Sequence, residues 1–446
     1  MRPAHALVLT YCGAILIGAV LLSVPISWQE GVKVEPVDAL FTATSAVCVT
    51  GLIVKDTAVD FSRFGQCTIL FLIQIGGLGL MTFSTFFVYL MGRRVALLER
   101  VIVRDSFGTL FDSDLKTLVT DILKLTLCIE AVGAILLYLR FSKEFDVGKA
   151  VFLSLFHSIS AFCNAGFSLF STSFVKYAAD PGVVGVIVTL IVVGGLGFLV
   201  LADIARSPRR KPRARLRTLT LQTKMVLAVS GGLILIGGVA CFFLEKDNTL
   251  AGSSLGSRIL SSVFLSVTSR TAGFNTLNTA ALSSATLFVV MMLMFVGASP
   301  GSTGGGIKTT TFGIFIALAR ARLRGQEEVN LFRRTVPREV VNRSLAVFAA
   351  SFSVVLLFCL ALLLTERASL SGEENMFRNV AFETLSAFGT VGLSTGITSS
   401  LSTAGRLLVS ALMLIGRIGP LTMVMALAGA QKRVSYEHPR EAVMIG

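Results

Sequence analysis

Long apolar runs are the feature that most limits what this chain can fold into. Crossing a bilayer as a helix takes about 20 mostly apolar residues. Eight runs qualify, near residues 6–24, 66–91, 118–139, 183–204, 224–244, 287–318, 344–364 and 406–428. Only 15% of the residues are charged, whereas soluble proteins carry about 25%. We therefore predict an all-α polytopic membrane protein with eight full spans and the lipid bilayer as its surroundings.

Four shorter, half-apolar stretches alternate with these runs, at 37–47, 149–162, 258–268 and 376–388. Stretches of this length favour re-entrant helices over spans. Each is followed by a small or polar loop that ends in glycine: Val49-Thr50-Gly51, Asn164-Ala165-Gly166, Thr271-Ala272-Gly273 and Thr390-Val391-Gly392. The repetition, with a period of about 115 residues, predicts four tandem copies around one central pore. We place the copies at 1–92, 93–205, 206–325 and 326–446, each a span, a re-entrant helix, a loop and a second span.

Charge predicts the orientation of the chain. The 40 Lys and Arg residues exceed the 26 Asp and Glu residues, and many of them lie in the connections between copies, at 93–104, 206–217 and 320–338. The positive-inside rule puts these connections and both termini in the cytoplasm, so the glycine-ended loops open outward. No nucleic-acid partner is expected, because no aromatic side chains interleave with the basic run at 206–217.

The glycine-ended loops suggest a site for a cation. A re-entrant helix that enters from outside directs its carbonyl end, which carries about half a negative charge, at the pore axis. Glycine lets the following backbone turn its carbonyl groups inward without a Cβ clash, and rings of such carbonyls replace the hydration shell of K⁺ in channels. The open alternative is four tight turns that only terminate the re-entrant helices.

The second span of the third copy must break inside the membrane. Pro300 and the run Gly304-Gly305-Gly306 cannot continue a helix, and irregular backbone at that depth is viable only where it lines a cavity or is buried in protein. We call the four glycine-ended loops the filter, and we predict a movable gate below it. The gate is formed by Ser299, Pro300, Gly301, Gly304, Gly305, Gly306 and Lys308 together with Arg417. A loop that only packs is the alternative. A nucleotide-binding loop is rejected, because an apolar helix precedes the segment where a strand is required.

Arg417 lies at the centre of the last span, where a charge is costly and is expected to face the cavity. One hypothesis makes it an electrostatic barrier below the filter, and the other a structural charge that pairs with loop carbonyls or with Glu130. Lys308 would likewise cap backbone carbonyls. Arg270 precedes the third loop, and we expect its side chain to point away from the cation path, behind the loop.

The chain resembles the Trk/Ktr/HKT superfamily of potassium transporters, and in particular the membrane subunits of its bacterial Ktr branch. The resemblance extends over essentially the whole chain. It rests on the four loops and on residues 38–43, 72–82, 156–168, 270–275, 305–310 and 415–422. It implies K⁺ as the transported ion, selected by glycine at all four loop positions, with no organic cofactor. It also implies a homodimer in the bacterial cell membrane and a cytosolic nucleotide-binding regulatory ring of the KtrA type.

Two other classes of function remain to be weighed. An enzyme is not expected, because the spans offer only three titratable residues, Lys124, Glu130 and Arg417, and these are spread over more than one copy. A secondary transporter coupled to H⁺ or Na⁺ stays open, since discontinuous helices also mark transporters, as does a Na⁺-permeable pore. Whether Na⁺ takes part at all is left open by the sequence.

Overall fold

The computed structural model of the protein describes residues 3–32, 35–79, 115–206, 218–367, 369, 375–420 and 422–423. The predicted basic connection at 93–104, most of that at 206–217 and both chain ends lie outside these residues. The first two predicted copies contain α1 (Pro3–Ser23), α2 (Pro36–Val47), α3 (Arg63–Leu78), α4 (Leu115–Phe141), α5 (Val147–Phe162), α6 (Pro181–Leu196) and α7 (Phe198–Arg206). The last two contain α8 (Leu221–Glu245), α9 (Leu255–Thr271), α10 (Ser284–Phe295), α11 (Thr309–Leu323), α12 (Arg338–Thr365), α13 (Met376–Gly389) and α14 (Thr403–Ile418). A hairpin of β1 (Asn330–Leu331) and β2 (Arg334–Thr335) joins the last two copies.

The fold is predominantly helical, as predicted, but the count of eight continuous spans is not confirmed. Four helices in the described residues are long and apolar enough to cross a membrane, namely those that contain His5–Ser23, Thr120–Phe141, Leu221–Glu245 and Arg338–Thr365. A fifth span is possible only if α6 and α7 count as one, and these two helices meet at an angle of 95°. The run at 183–204, predicted as one straight span, is therefore bent.

Glycine explains where the second helices end. Gly79, Gly197 and Gly419 follow α3, α6 and α14 with φ values of +84°, +89° and +95°, a backbone region that other residues rarely adopt. The predicted break in the third copy is confirmed, since α10 ends at Phe295 and α11 begins only at Thr309. The second helices of the other three copies also end at a glycine, which was not predicted from the sequence.

Helix packing closes a ring. The four short helices α2, α5, α9 and α13, which we call the pore helices, each pack on the long helix that precedes them. The second helix of each copy also contacts the pore helix of the next copy: α3 packs on α5, α6 on α9, α10 on α13, and α14 on α2. The last contact returns to the first copy, so the order of the copies around the ring follows the order of the chain.

A buried carboxylate links the long first helix to the start of the second helix in the third and fourth copies. Glu245, at the end of α8, accepts hydrogen bonds from Ser283 N (2.9 Å), Thr249 Oγ1 (2.8 Å) and Asn248 Nδ2 (2.8 Å). Glu366, after α12, accepts from Ser402 N (3.0 Å) in the same way. Ser283 and Ser402 are the N-cap residues of α10 and α14, so each carboxylate ties the two long elements of its copy together.

Removing one of these carboxylates should destabilise the protein. Glu245 is fully buried, and Glu245→Ala removes the acceptor of Ser283 N and Thr249 Oγ1, so we expect the free energy of unfolding to fall by about 1–3 kcal/mol. Thermal unfolding of the purified protein in detergent measures this as a lowered midpoint. Lys246→Ala is the matched control, because Lys246 is exposed and, within the described residues, forms an ion pair only with the exposed Asp247. Equal midpoints for the two variants would contradict the role given to Glu245.

Candidate cation pathway

A hydroxyl side chain near the end of each pore helix anchors the loop that follows it. The anchoring bonds are Gly51 N to Ser45 Oγ (3.0 Å), Ser160 Oγ to Phe167 O (2.7 Å), Thr268 Oγ1 to Phe274 O (2.9 Å) and Gly392 N to Ser386 Oγ (3.1 Å). All eight loop residues that were predicted beside the glycines are buried. The loops are thus held from inside the protein, and their backbone conformation is fixed by short local bonds.

The four loop glycines meet in a closed ring. All four have positive φ, between +72° and +91°. A Cβ added to Gly51 would lie 2.4 Å from Ala165 O, and one added to Gly392 would lie 2.2 Å from Thr50 O. The same relation joins Gly166 to Ala272 O at 2.8 Å and Gly273 to Val391 O at 2.3 Å. Each glycine therefore abuts the carbonyl group that precedes the glycine of the next copy, and no side chain fits at any of the four positions.

The third loop differs from the other three. Val49, Asn164 and Thr390, two residues before their glycines, have positive φ values of 56°, 59° and 49°. The corresponding Thr271 is instead the last residue of α9, because Ala272 N continues the helical pattern by donating to Thr268 O (2.9 Å). The predicted likeness of the four loops is therefore only partial. A Cβ added to Gly304 would lie 2.6 Å from the methyl group of Thr271. The third loop therefore packs directly against the broken helix of its own copy.

Glycines in the second helices seat the carboxyl ends of the pore helices. A Cβ added to Gly76 would lie 2.1 Å from Val47 O, one on Gly194 1.9 Å from Phe162 O, and one on Gly416 2.0 Å from Phe388 O. Each of these glycines opens a four-residue segment that recurs in the second helices, namely Gly76-Gly77-Leu78-Gly79, Gly194-Gly195-Leu196-Gly197 and Gly416-Arg417-Ile418-Gly419. In the third copy a Cβ added to Gly297 would lie 2.1 Å from Gly305 O instead, since the broken helix folds back on itself there.

On one side the ring opens into a cavity of about 610 Å³. All four glycines line it, together with loop residues that include Lys55, Asp56, Ser168 and Ser394. The segment 170–175 forms part of the cavity wall. The two residues that follow it bind Glu144, which accepts hydrogen bonds from Lys176 Nζ (2.8 Å) and Tyr177 OH (3.0 Å). The hydrogen bond from Lys176, assisted by that from Tyr177, holds the pKa of Glu144 below its ordinary value, so this tie weakens as the pH falls through the lowered pKa.

The predicted gate residues form a loop against the other side of the ring. Residues 297–308 bond to two neighbouring copies through their backbone: Ser299 N to Gly195 O (3.1 Å), Phe198 N to Gly301 O (3.0 Å) and Gly306 N to Gly416 O (3.2 Å). Pro300 lies between the first two contacts, and a Cβ on Gly197 would come within 2.8 Å of its carbonyl oxygen. The loop is therefore anchored to the second helices of the second and fourth copies.

Two side chains of the glycine-ended loops, Asn164 and Thr390, also bind this segment. Thr303 Oγ1 lies 2.7 Å from the side-chain amide of Asn164 and donates to Phe162 O (3.2 Å). Gly305 N donates to Thr390 Oγ1 (3.0 Å). The loop thus touches the residues two positions before Gly166 and Gly392. Thr303 was not among the predicted site residues, although its position inside the glycine-rich segment that breaks the span was a signal for it.

Both predicted basic residues bind carbonyl oxygens. Arg417 donates through Nη1 to Thr303 O of the loop and through Nη2 to Gly76 O at the end of α3. Lys308 Nζ donates to Gly304 O (2.7 Å), so it caps a carbonyl as expected. Glu130 binds Gln74 Nε2 at 3.1 Å, and among the described residues Arg417 has no carboxylate within salt-bridge distance. Arg417 therefore pairs with backbone carbonyl groups and not with Glu130.

Arg270 points away from the ring, as expected. Its Nη2 donates to Ser230 Oγ on α8 and to Gly297 O beyond α10, both at 3.2 Å. The guanidinium group therefore supports the back of the third loop and the start of the gate segment, which keeps its charge apart from the four carbonyls of the ring.

Comparison with known proteins assigns the chain to a family. A family model described as TrkH, cation transport protein, matches residues 23–435. The Ktr system potassium uptake protein B of Bacillus subtilis is 40% identical over 100% of this chain and 97% of its own length. That of Vibrio alginolyticus is 38% identical (99% and 94%), and the potassium/sodium uptake protein NtpJ of Enterococcus hirae 36% identical (100% and 98%).

A solved structure shows the same fold. The crystal structure of the potassium transporter TrkH from Vibrio parahaemolyticus matches with a TM-score of 0.73 and 18% sequence identity, over 94% of this chain and 84% of the other. These related proteins are transport proteins, and no enzyme family is indicated. The resemblance inferred from the loops and motifs is confirmed: the chain belongs to the TrkH family of cation transport proteins and is similar over its whole length to Ktr-type membrane subunits.

Proposed function

We propose that this protein takes up K⁺ across the bacterial cell membrane through a channel-like pore with a filter of backbone carbonyls. The observation that carries the proposal is the closed ring in which each glycine abuts the carbonyl group before the next glycine. The filter residues are those of the four loops, 49–51, 164–166, 271–273 and 390–392. Four pore helices that end at this ring supply partial negative charge for a cation, and carbonyl oxygens replace its hydration shell.

Ion selectivity and coupling are tested together on purified protein in liposomes. We expect reversal potentials that follow the K⁺ gradient rather than the Na⁺ gradient, and rubidium flux that persists without a proton gradient. Flux that requires a proton or sodium gradient would favour the coupled secondary transporter. Equal permeability to both ions would favour the Na⁺-permeable pore. The Enterococcus hirae relative is called a potassium/sodium uptake protein, which is the reason to test this candidate.

The segment 297–308 is proposed as the gate of this pore. It lies against the ring and bonds to the second copy through Gly195 and Asn164 and to the fourth through Gly416 and Arg417, and Arg417 also donates to Gly76 O of the first copy. An ion that leaves the ring on this side meets the loop, so the loop has to move for conduction. Most of these bonds involve a backbone atom, which suits a segment with two discrete arrangements.

Shortening the loop should raise conduction. Deletion of residues 299–304 removes the contacts through Ser299 and Thr303, and we expect rubidium flux into liposomes to rise by about tenfold, the effect of losing one or two net hydrogen bonds from the closed state. Ser302→Ala is the matched control, because Ser302 Oγ bonds only to Ser299 O within the loop (2.6 Å). Unchanged flux in a normally folded deletion variant would eliminate the gate and leave a loop that only packs.

Assembly and regulation follow from the Ktr-type resemblance. We propose a homodimer with both termini in the cytoplasm and a cytosolic nucleotide-binding ring of the KtrA type as regulatory partner. The Bacillus subtilis and Vibrio alginolyticus relatives are each called protein B of a Ktr system, which implies a system of several components. Co-purification with the ring subunit encoded by the same bacterium tests the partnership, and the mass of the detergent-solubilised protein tests the dimer.

A further inference from the structure

Two buried titratable side chains occupy one register of the pore helices in the second and fourth copies. His157 precedes Gly166 by nine residues, and Glu383 precedes Gly392 by nine. Their exposed fractions are 0% and 1%. Because the copies follow one another around the ring, the second and fourth lie on opposite sides of it. The same register holds Thr42 in the first copy and Phe264 in the third.

Both side chains bind the serine that lies two residues beyond the loop glycine. His157 Nε2 is 3.0 Å from Ser168 Oγ, and Ser394 Oγ donates to Glu383 Oε1. Each serine oxygen also accepts from the backbone N–H group two residues further on, that of Phe170 (3.0 Å) or of Gly396 (2.8 Å). The two outer limbs of the loops, 167–170 and 393–396, are therefore built alike around a residue of the pore helix.

The bonding partners of His157 fix its role as an acceptor. Leu153 O lies 2.8 Å from Nδ1, and a carbonyl oxygen only accepts, so Nδ1 carries the hydrogen. Leu169 N donates to Nε2 at 3.2 Å, so Nε2 presents its lone pair to the loop and the Ser168 hydroxyl donates to it. Phe170 stacks on the ring, with centroids 4.7 Å apart. The imidazole thus holds three consecutive residues of the outer limb.

Glu383 holds the fourth loop in the same manner. Its Oε2 accepts from Thr398 Oγ1 at 3.1 Å while Oε1 accepts from Ser394, so both oxygens of the carboxyl group face the outer limb. In the first copy the hydroxyl of Thr42 is buried without a partner among the described residues. The register therefore anchors two opposite loops by polar bonds and leaves the first copy without one.

We propose that His157 and Glu383 are positioning residues of the filter, each fixing the outer limb of its loop through a serine hydroxyl and so holding Gly166 and Gly392 in the ring. The inference rests on the proposed function. A carbonyl ring discriminates between K⁺ and Na⁺ through the number and placement of its oxygens. Loosening two opposite loops should then weaken selectivity while conduction persists. Substituting a residue needed only for folding would instead lower conduction and selectivity together, through loss of folded protein.

The test removes the connecting hydroxyl groups. Ser168→Ala and Ser394→Ala should each lower the K⁺/Na⁺ permeability ratio in liposomes by about fivefold, the effect of one net hydrogen bond. Adding Ser168→Ala to His157→Phe should lower the ratio no further, because His157→Phe already breaks the bond to the Ser168 hydroxyl. Glu383→Gln retains an acceptor and should keep a near wild-type ratio, whereas Glu383→Met should not. Thr42→Val, at the unpartnered position of the same register, is the control that should change nothing.

The outcomes separate this inference from the proposed function. Wild-type ratios in both serine variants, with wild-type melting temperatures, would overturn the positioning role even if a loop-glycine variant measured beside them loses selectivity. Additive effects of His157→Phe and Ser168→Ala would also overturn it, since they would show that the two side chains act separately. If the wild-type protein itself shows no preference for K⁺, the proposed function fails first.

Discussion

A Gly392→Ala variant is expected to lose K⁺ uptake by at least about tenfold, because a single added methyl group cannot be accommodated in the ring without backbone strain of about 1–3 kcal/mol. The backbone of Gly392 has φ +91°, and its added Cβ would lie 2.2 Å from Thr50 O and 2.9 Å from the Cα of Gly51. The methyl group must displace the carbonyl of the first loop. Uptake of K⁺ or rubidium into cells that lack other K⁺ transporters measures the loss, and the K⁺/Na⁺ permeability ratio should fall with it.

Gly252→Ala is the control for backbone strain alone. Gly252 also has positive φ, +74°, but nothing lies within 4 Å of the position that its Cβ would take. Both substitutions impose a strained backbone, and only Gly392→Ala disturbs the ring. Equal uptake by the two variants at equal protein levels would mean that the ring is not the path of the ion.

Sequence alone was sufficient to predict the pore helices and their loops. Residues 37–47, 149–162, 258–268 and 376–388 were predicted as short helices, and α2, α5, α9 and α13 cover them. The prediction worked because short apolar stretches and the glycines that follow them are local features, repeated four times. The broken helix of the third copy was equally local, since Pro300 and three consecutive glycines leave a helix no continuation.

The sequence could not predict contacts that depend on how the copies face each other. Gly197 was read as part of a continuous span, and its bend of 95° becomes understandable only when the gate segment lies against it, with Phe198 N bonded to Gly301 O. Thr303 was missed for the same reason, because its partners Asn164 and Phe162 belong to another copy. The helical Thr271 shows the opposite case, a local pattern that tertiary packing overrides.

The two hypotheses for Arg417 predict different results for Arg417→Lys. If the guanidinium group latches the gate by bridging Thr303 O and Gly76 O, lysine cannot replace it, because one ammonium group does not reproduce the fork of two donors. If Arg417 is instead an electrostatic barrier, lysine retains the charge and should conduct like the wild type. We expect the latch. Both Arg417→Lys and Arg417→Ala should then raise rubidium flux by at least about tenfold, the effect of losing a charge-assisted bond of about 1.5–3 kcal/mol.

A second measurement decides whether the arginine acts through the loop. Deletion of residues 299–304 removes Thr303, so in that background the substitution Arg417→Lys should add almost nothing to the flux. A barrier would act independently of the loop, and Arg417→Ala would then increase the flux of the deletion variant by the same factor as in the full-length protein. Protein that elutes as a single species and melts near the wild-type temperature is required for each variant. A flux raised by Arg417→Ala but not by Arg417→Lys would reject the latch in favour of the charge, because lysine retains the charge and loses only the bridge between α3 and the gate.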